Sequence, residues 1–436
     1  MEKETVSLAT MPPVSGAVFA PAARAWVVLG ILCFVYVLNF LDRQLLSILA
    51  KPVQDSLQIS DGQLGRIGGL YFACFYCFLS IPVGWLADKF SRVGVLSIAC
   101  ALWSAATMAC GLSATYPQLV AARMSVGIGE AGGVPPSYAI ISDSFAPGRR
   151  GTAFGLYNLG PPLGQALGIA FGASIAAAYN WRDAFIVLGG VGVFAALTVA
   201  LFVKEPKRGG LDKTVFTGPT PSLWATIRMF FASKPLVLLS LACGATQFLT
   251  YGVLNFTALF LMREKGMALG QVAIYYALVI AIAMGGGIGI SGRVIDRFVP
   301  RGKQAYAIIP AVALACAVPF FVGFVWAPTW PLAILLLAGP TFFNYFYLSS
   351  AVALVQEEVA PHQRVLSGAL LLLVMNLIGL GFGPTYVGAA SDYFRDAYPG
   401  HSLQIAFYTL IPFYGLAIAL FLWLAAVLRR RADVQV

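Results

Sequence analysis

Gly84-Trp-Leu-Ala-Asp88-Lys-Phe-Ser-Arg92 closes one long apolar run, and Gly292-Arg-Val-Ile-Asp296-Arg-Phe298 closes another. The aspartate and the phenylalanine both recur at an offset of 208 residues, so the chain reads as two related halves. A second echo pairs Arg150, Gly155, Asn158 and Gly160-Pro161 with Arg364, Gly368, Asn376 and Gly383-Pro384. Parallel repeats of this kind place a substrate site between the halves, near the midplane of a bilayer.

The segments around these motifs require a membrane. Of the 436 residues, 59% are hydrophobic and 11% charged, and the mean hydropathy is +0.82. A soluble domain carries about a quarter charged residues. A helical span takes roughly 20 apolar residues. Twelve such runs are present: Trp26–Ala50, Leu64–Ala87, Val93–Leu112, Pro117–Ile141, Thr152–Ala178 and Phe185–Val203, then Leu236–Met262, Val272–Ile295, Tyr306–Trp326, Pro331–Val355, Val365–Ala390 and Ile405–Val427. The expected architecture is an all-α integral membrane protein of twelve transmembrane helices in two pseudo-symmetric six-helix bundles. Its parts are an N-terminal tail (1–24), a first bundle (25–203), a polar link (204–234), a second bundle (235–428) and a C-terminal tail (429–436). Within the link, Ser222–Ala232 reads as a surface amphipathic helix or a simple connection.

The net charge of +10 could suggest nucleic acid, but its distribution marks membrane topology. Twenty Lys and Arg residues lie in the loops and tails on one side and six on the other, with Arg43 and Arg123 inside spans. Both termini are therefore expected in the cytoplasm, with no nucleic-acid partner. The first residues lack a basic region leading into a short apolar core, so a cleaved signal peptide is not expected. Seven cysteines fall mostly in apolar runs, which argues against a disulfide framework. With only His362 and His401 present, no His-rich metal site can be built, and no metal or cofactor is expected. Gly127-x-Gly129-x-x-Gly132 spells a dinucleotide fingerprint but follows no strand, and Cys74-x-x-Cys77 has no partner ligands. No nucleophile–base constellation supports an enzyme.

Four charges lie well inside the first half: Asp42 and Arg43 in span 1, Arg123 and Glu130 in span 4. A charge at that depth costs about 2.5–3.5 kcal/mol on insertion scales, so it faces a cavity or a partner. Glu130 and then Asp42 are the candidate proton carriers, because water access that alternates between the two sides turns protonation into coupling. The bland alternative is a permanent salt-bridge cluster joining spans 1 and 4. The second half carries Gln247, Tyr251, Asn255, Asn344 and Tyr347 but no clear mid-span charge. A cleft with one charged and one aromatic wall suits an amphipathic ligand, with Arg43 or Arg123 taking the headgroup and Asn39, Tyr251, Asn255, Asn344 and Tyr347 as further contacts. Asp88, Arg92, Arg149 and Arg150 are expected to form an inner-face latch, and Asp296 and Arg297 its counterpart. Pro135, Pro136, Pro161 and Pro162 are expected to interrupt spans 4 and 5.

Gly84–Arg92, Arg123 with Gly127 and Gly129, and Gly155–Gly164 resemble three signatures of the major facilitator superfamily. The first departs from that pattern at Trp85, Lys89 and Ser91. Asn39-Phe-Leu-Asp42-Arg43 and Arg123-Met-Ser-Val-Gly127-Ile-Gly129-Glu130-Ala131 resemble the spinster group, thought to move sphingoid lipids and lysolipids. The resemblance implies a monomeric, proton-coupled carrier of an amphipathic lipid, in which Asp42 and Glu130 couple protons and Arg43 and Arg123 are their partners or anion contacts. Rival readings are a proton-coupled symporter of small organic anions and, in another class, an uncoupled lipid scramblase or membrane receptor.

Overall fold

The structure, a computed structural model, describes residues 22–206, 223–360 and 363–435. Among them, ten helical segments are long and apolar enough to cross a membrane. Spans 1–3 are Arg24–Ile48, Asp61–Ala87 and Arg92–Leu112, and span 6 is Trp181–Phe202. Spans 7–12 are Lys234–Arg263, Leu269–Phe298, Ala305–Trp326, Trp330–Glu358, Leu366–Phe394 and Ser402–Arg431. Two further spans are broken helices and complete the twelve. Span 4 consists of Tyr116–Glu130 and Val134–Ser144, and span 5 of Pro147–Tyr157 and Gly160–Ala178.

The breaks follow from proline chemistry. Pro135 and Pro136 have no N–H to give to the carbonyls of Ala131 and Gly132, and the helix breaks at those carbonyls, one turn before the prolines. Pro161 and Pro162 likewise free the carbonyls of Tyr157 and Asn158, and span 5 breaks there. Spans 8 and 11 contain wider π-helical turns, at Val272–Tyr276, Ile280–Met284 and Leu377–Phe382. Gly129, in the false dinucleotide fingerprint, lets span 4 lie against span 3: a Cβ there would stand 2.5 Å from the Trp103 amide nitrogen.

Twelve crossings bring the described chain back to the end where it begins, here called the terminal end. The N-terminal tail lies almost wholly outside the described residues, as do 207–222 of the link. Leu223–Ala232 is helical and packs on spans 7 and 11. The last helix continues through Gln435, so the expected tail at 429–436 is mostly helical. Near the end of this helix Arg431 reaches Glu358 at 3.2 Å.

The halves meet at the far end and at mid-depth. Span 2 packs along span 11, and the Gly160–Ala178 part of span 5 packs against span 8. The Ser47 hydroxyl donates to the carbonyls of Leu254 and Asn255, tying span 1 to span 7. At the terminal end, the hydrogen bonds and ion pairs seen among the described residues stay within one half.

Candidate functional site

Span 1 is apolar enough to insert, and it carries Asp42 and Arg43 in the third nearer its far end. Arg43 Nε donates to Glu130 Oε2 at 2.6 Å. The Glu130 side chain is 0% exposed and that of Arg43 11%. The guanidinium carbon sits 4.8 Å from the Phe40 ring centre, 5.3 Å from Phe72 and 4.5 Å from Tyr76. An arginine that is weakly hydrated and stacks on rings tolerates such a box better than a lysine. Asp42 accepts from Thr107 Oγ1 at 2.7 Å. Arg123 is 2% exposed, has its guanidinium carbon 5.3 Å from the centre of the same Phe72 ring, and interacts electrostatically with Asp42. The four charges therefore form one cluster, with Arg43 and Glu130 in direct contact and Arg123 and Asp42 coupled to them electrostatically.

Polar capacity remains in this cluster. Asp42 Oδ1, Glu130 Oε1, and Arg123 Nε and Nη1 are buried without a hydrogen-bond partner among the described residues, as is Asn39 Oδ1. Buried atoms of this kind are costly unless another group satisfies them in some state.

Across the interface, Tyr251 of span 7 interacts with Arg43, as does Tyr76 of span 2. Tyr347 is buried beside Gln247. Two of the expected contacts are placed differently. The Asn344 amide donates to the Tyr414 hydroxyl at 3.0 Å and lines a small cavity of about 30 Å³ inside the second half. The helix breaks at Asn344 and Tyr345, which turns this side chain towards span 12. Asn255 is drawn into the closure between halves: its carbonyl accepts from Ser47, and Gly68 packs on its amide. Thr107 and Tyr76 belong to the site without a signal in sequence, since each is an ordinary residue for an apolar helix.

At the terminal end, Arg92 pairs with Asp143 at the end of span 4. The Glu205 carboxylate caps span 3, accepting from Ser91 Oγ at 2.7 Å and from the amides of Arg92 (3.1 Å) and Val93 (2.9 Å). Arg150 Nε donates to the carbonyls of Ser142 and Phe145, closing the loop between spans 4 and 5, while Arg149 is exposed. The Asp88 side chain lies outside the described residues. In the second half, Asp296 and Arg297 are exposed and form no ion pair among the described residues, so the expected counterpart latch is not assembled in this state. Its place is taken by Lys303 with Glu357 and Glu358, and by Arg431 with Glu358.

Glu205 gives a pH prediction. Partial burial raises its pKa, but the Ser91 hydroxyl and the two amides outweigh that and hold it below the ordinary glutamate value. A carboxyl with a depressed folded-state pKa stabilises above its unfolded pKa and loses that contribution as pH falls through the folded one. Hydrogen-exchange protection of the Arg92 and Val93 amides, corrected for intrinsic rate, is expected to be full near neutrality and to fall below the normal carboxylate range. Glu205→Gln should flatten that profile; an unchanged profile overturns the cap.

The far end holds a lock between the halves. Asp61, at the start of span 2, is 0% exposed. It receives Arg263 Nη1 at 3.0 Å and Nη2 at 2.7 Å, Ser391 Oγ at 2.6 Å and Gln54 Nε2 at 2.6 Å, with Arg395 at 3.4 Å. Asp392 of span 11 accepts from the amides of Asp61 (3.1 Å) and Gly62 (2.8 Å), placing a carboxylate at the positive end of span 2. Below it the backbones touch: a Cβ at Gly65 would stand 2.4 Å from the Pro384 carbonyl oxygen, and one at Gly388 2.3 Å from that of Asp61.

Known proteins resemble this chain in sequence and fold. The Major Facilitator Superfamily pattern matches residues 32–384. An MFS-type efflux pump of Mycolicibacterium smegmatis is 31% identical, over 94% of this chain and 95% of the relative. Human protein spinster homolog 1 is 26% identical, over 86% of this chain and 75% of its own. A solved bacterial homolog of the human lysosomal transporter spinster, inward-facing and unoccupied, superposes with a TM-score of 0.85 at 27% identity, covering 94% of this chain and 99% of that one. Sequence motifs, fold and family pattern thus converge: the chain belongs to the Major Facilitator Superfamily, as an integral membrane transporter related to the spinster proteins.

Proposed function

We propose that the protein is a proton-coupled secondary transporter that moves an amphipathic, lipid-like substrate of sphingoid or lysolipid type by alternating access. The observation that carries this reading is the buried Arg43–Glu130 pair, which meets Tyr251 of the other half. Protonation of Glu130 releases Arg43, so the Glu130 carboxylate and an anionic headgroup compete for one guanidinium, and a proton on Glu130 favours the headgroup. Asp42, held by Thr107 and near Arg123, is the second proton carrier. The aromatic side chains around Tyr251 and Tyr347 suit the apolar part of the ligand.

The basic terminal end is assigned to the cytoplasm by the bias in Lys and Arg. The far end then faces outward and is locked shut, so the site opens towards the cytoplasm. The likeness to an inward-facing relative supports that orientation.

The test is flux of lysolipids, sphingoid bases and small organic anions in proteoliposomes, each with and without a pH gradient. Gradient-dependent lipid flux is expected. Gradient-driven flux of small anions alone replaces the lipid reading, and lipid flux indifferent to the gradient replaces coupling with facilitation. Tyr251→Phe removes one hydrogen-bonding group from Arg43, a change of ~1 kcal/mol. It is expected to raise the half-saturating substrate concentration about fivefold while leaving the dependence on the gradient intact. An unchanged concentration dependence removes Tyr251 from the site.

A further inference from the structure

A second cavity lies apart from the charged cluster. It measures about 400 Å³ and runs between spans 8 and 9 with span 10 at its back. Val294 and Phe298 form one wall, Ile308, Val312 and Cys316 the other, and Phe343 the base, with Gln304 among the few polar linings. Val312 and Cys316 are exposed, so the slot opens sideways to the surroundings of the bundle. From Ala305 at the terminal end to Cys316, eleven helical steps span roughly 16 Å. That is about half of a ~30 Å hydrocarbon core, the depth of one leaflet.

Two cations, Arg297 and Lys303, stand at the slot's mouth, with the carboxylates of Glu357 and Glu358 beside Lys303. At roughly 100° per residue, Val294 and Phe298 share one helix face, Arg297 flanks it, and Asp296 points to the other side. Arg297 is exposed. Lys303 follows between two slot residues, Gly302 and Gln304, and its side chain is 51% exposed. Lys303 reaches Glu357 at 3.7 Å and Glu358 at 3.5 Å, which leaves donors of its ammonium free. An apolar slot one leaflet deep, with cations at the headgroup level, matches the shape and charge of one lipid class.

We propose that this slot binds one acyl chain of an anionic phospholipid from the leaflet at the terminal end, with the lipid phosphate on Arg297 and Lys303. The lipid is a bound partner of the second half and not cargo, because the slot does not reach the Arg43–Glu130 pair.

The experiment uses the full chain in vesicles of phosphatidylcholine and phosphatidylglycerol containing a photoactivatable phosphatidylglycerol with the diazirine in its acyl chain. Crosslinks are expected to concentrate on 305–316 and 343–346. Val312→Trp fills the slot from an exposed position and should remove those crosslinks, whereas Leu335→Trp, exposed on span 10, should not. Native mass spectrometry should show one retained phosphatidylglycerol, with retention falling about fivefold for each of Arg297→Gln and Lys303→Gln. Crosslinks spread evenly over both halves, or unchanged in Val312→Trp, overturn the site in favour of ordinary boundary lipid. Equal retention of phosphatidylcholine overturns the headgroup assignment. A dimer in place of a retained lipid assigns the slot to a second copy and overturns the proposal.

Discussion

Glu130→Gln is expected to abolish accumulation of substrate against its gradient while leaving downhill exchange measurable. Glutamine keeps the shape and one acceptor for Arg43 Nε but can neither carry nor release a proton. The guanidinium then remains in its box of Phe40, Phe72 and Tyr76 with no formal counter-charge in contact. Removing one partner of a buried pair costs about 3–5 kcal/mol. If even ~3 kcal/mol of that falls unequally on the two access states, their ratio shifts more than about a hundredfold. Two readouts in proteoliposomes separate the roles: uptake driven by an imposed pH gradient, and counterflow with no gradient. Loss of the first with survival of the second marks a coupling residue. Loss of both marks a structural pair, the salt-bridge reading of spans 1 and 4. Full activity in both removes Glu130 from the mechanism.

The reach of the sequence is uneven for physical reasons. Four charges in apolar helices are conspicuous because the bilayer makes each costly, and the structure gathers all four. Their pairing was not legible, since spacing along a helix fixes depth but not how two helices are rotated against each other. The prolines announced the breaks in spans 4 and 5, displaced one turn towards the N-terminus because the missing N–H orphans a carbonyl four residues earlier. Asn344 looked like a cleft residue until the break beside it turned the side chain to Tyr414. Asp143 and Glu205 gave no sign of pairing with the Gly84–Arg92 motif, because they lie 51 and 113 residues from Arg92. The far-end lock was the largest omission. Asp61 and Asp392 sit at span edges, where an acidic residue is unremarkable, and they meet only when the halves close.

Gly65→Val is expected to prevent that closure. The first carbon of the new side chain would stand 2.4 Å from the Pro384 carbonyl oxygen and 3.4 Å from the Gly388 Cα. These neighbours are backbone, so span 2 and span 11 must separate. Asp61→Ala attacks the same interface by charge, leaving the fork of Arg263 without the acceptor it binds at 3.0 and 2.7 Å. Removing one member of such a pair costs ~3 kcal/mol or more, and here only the closed far end bears it. Both variants should therefore move the protein from a closed to an open far end by about a hundredfold in population. Spin labels at Asp55 and Tyr398, one on each half, read this directly once Cys33, Cys74 and Cys316 are replaced by serine. The wild type should give a short distance, and both variants a longer one with lost transport. Asp392→Asn retains an acceptor for one of the Asp61 and Gly62 amides and should shift the distances less. If Gly65→Val keeps the short distance and full transport, the contact is passive packing and the halves separate elsewhere. If the distance lengthens but transport survives, closure of this end is not required in each cycle, and alternating access must use another barrier.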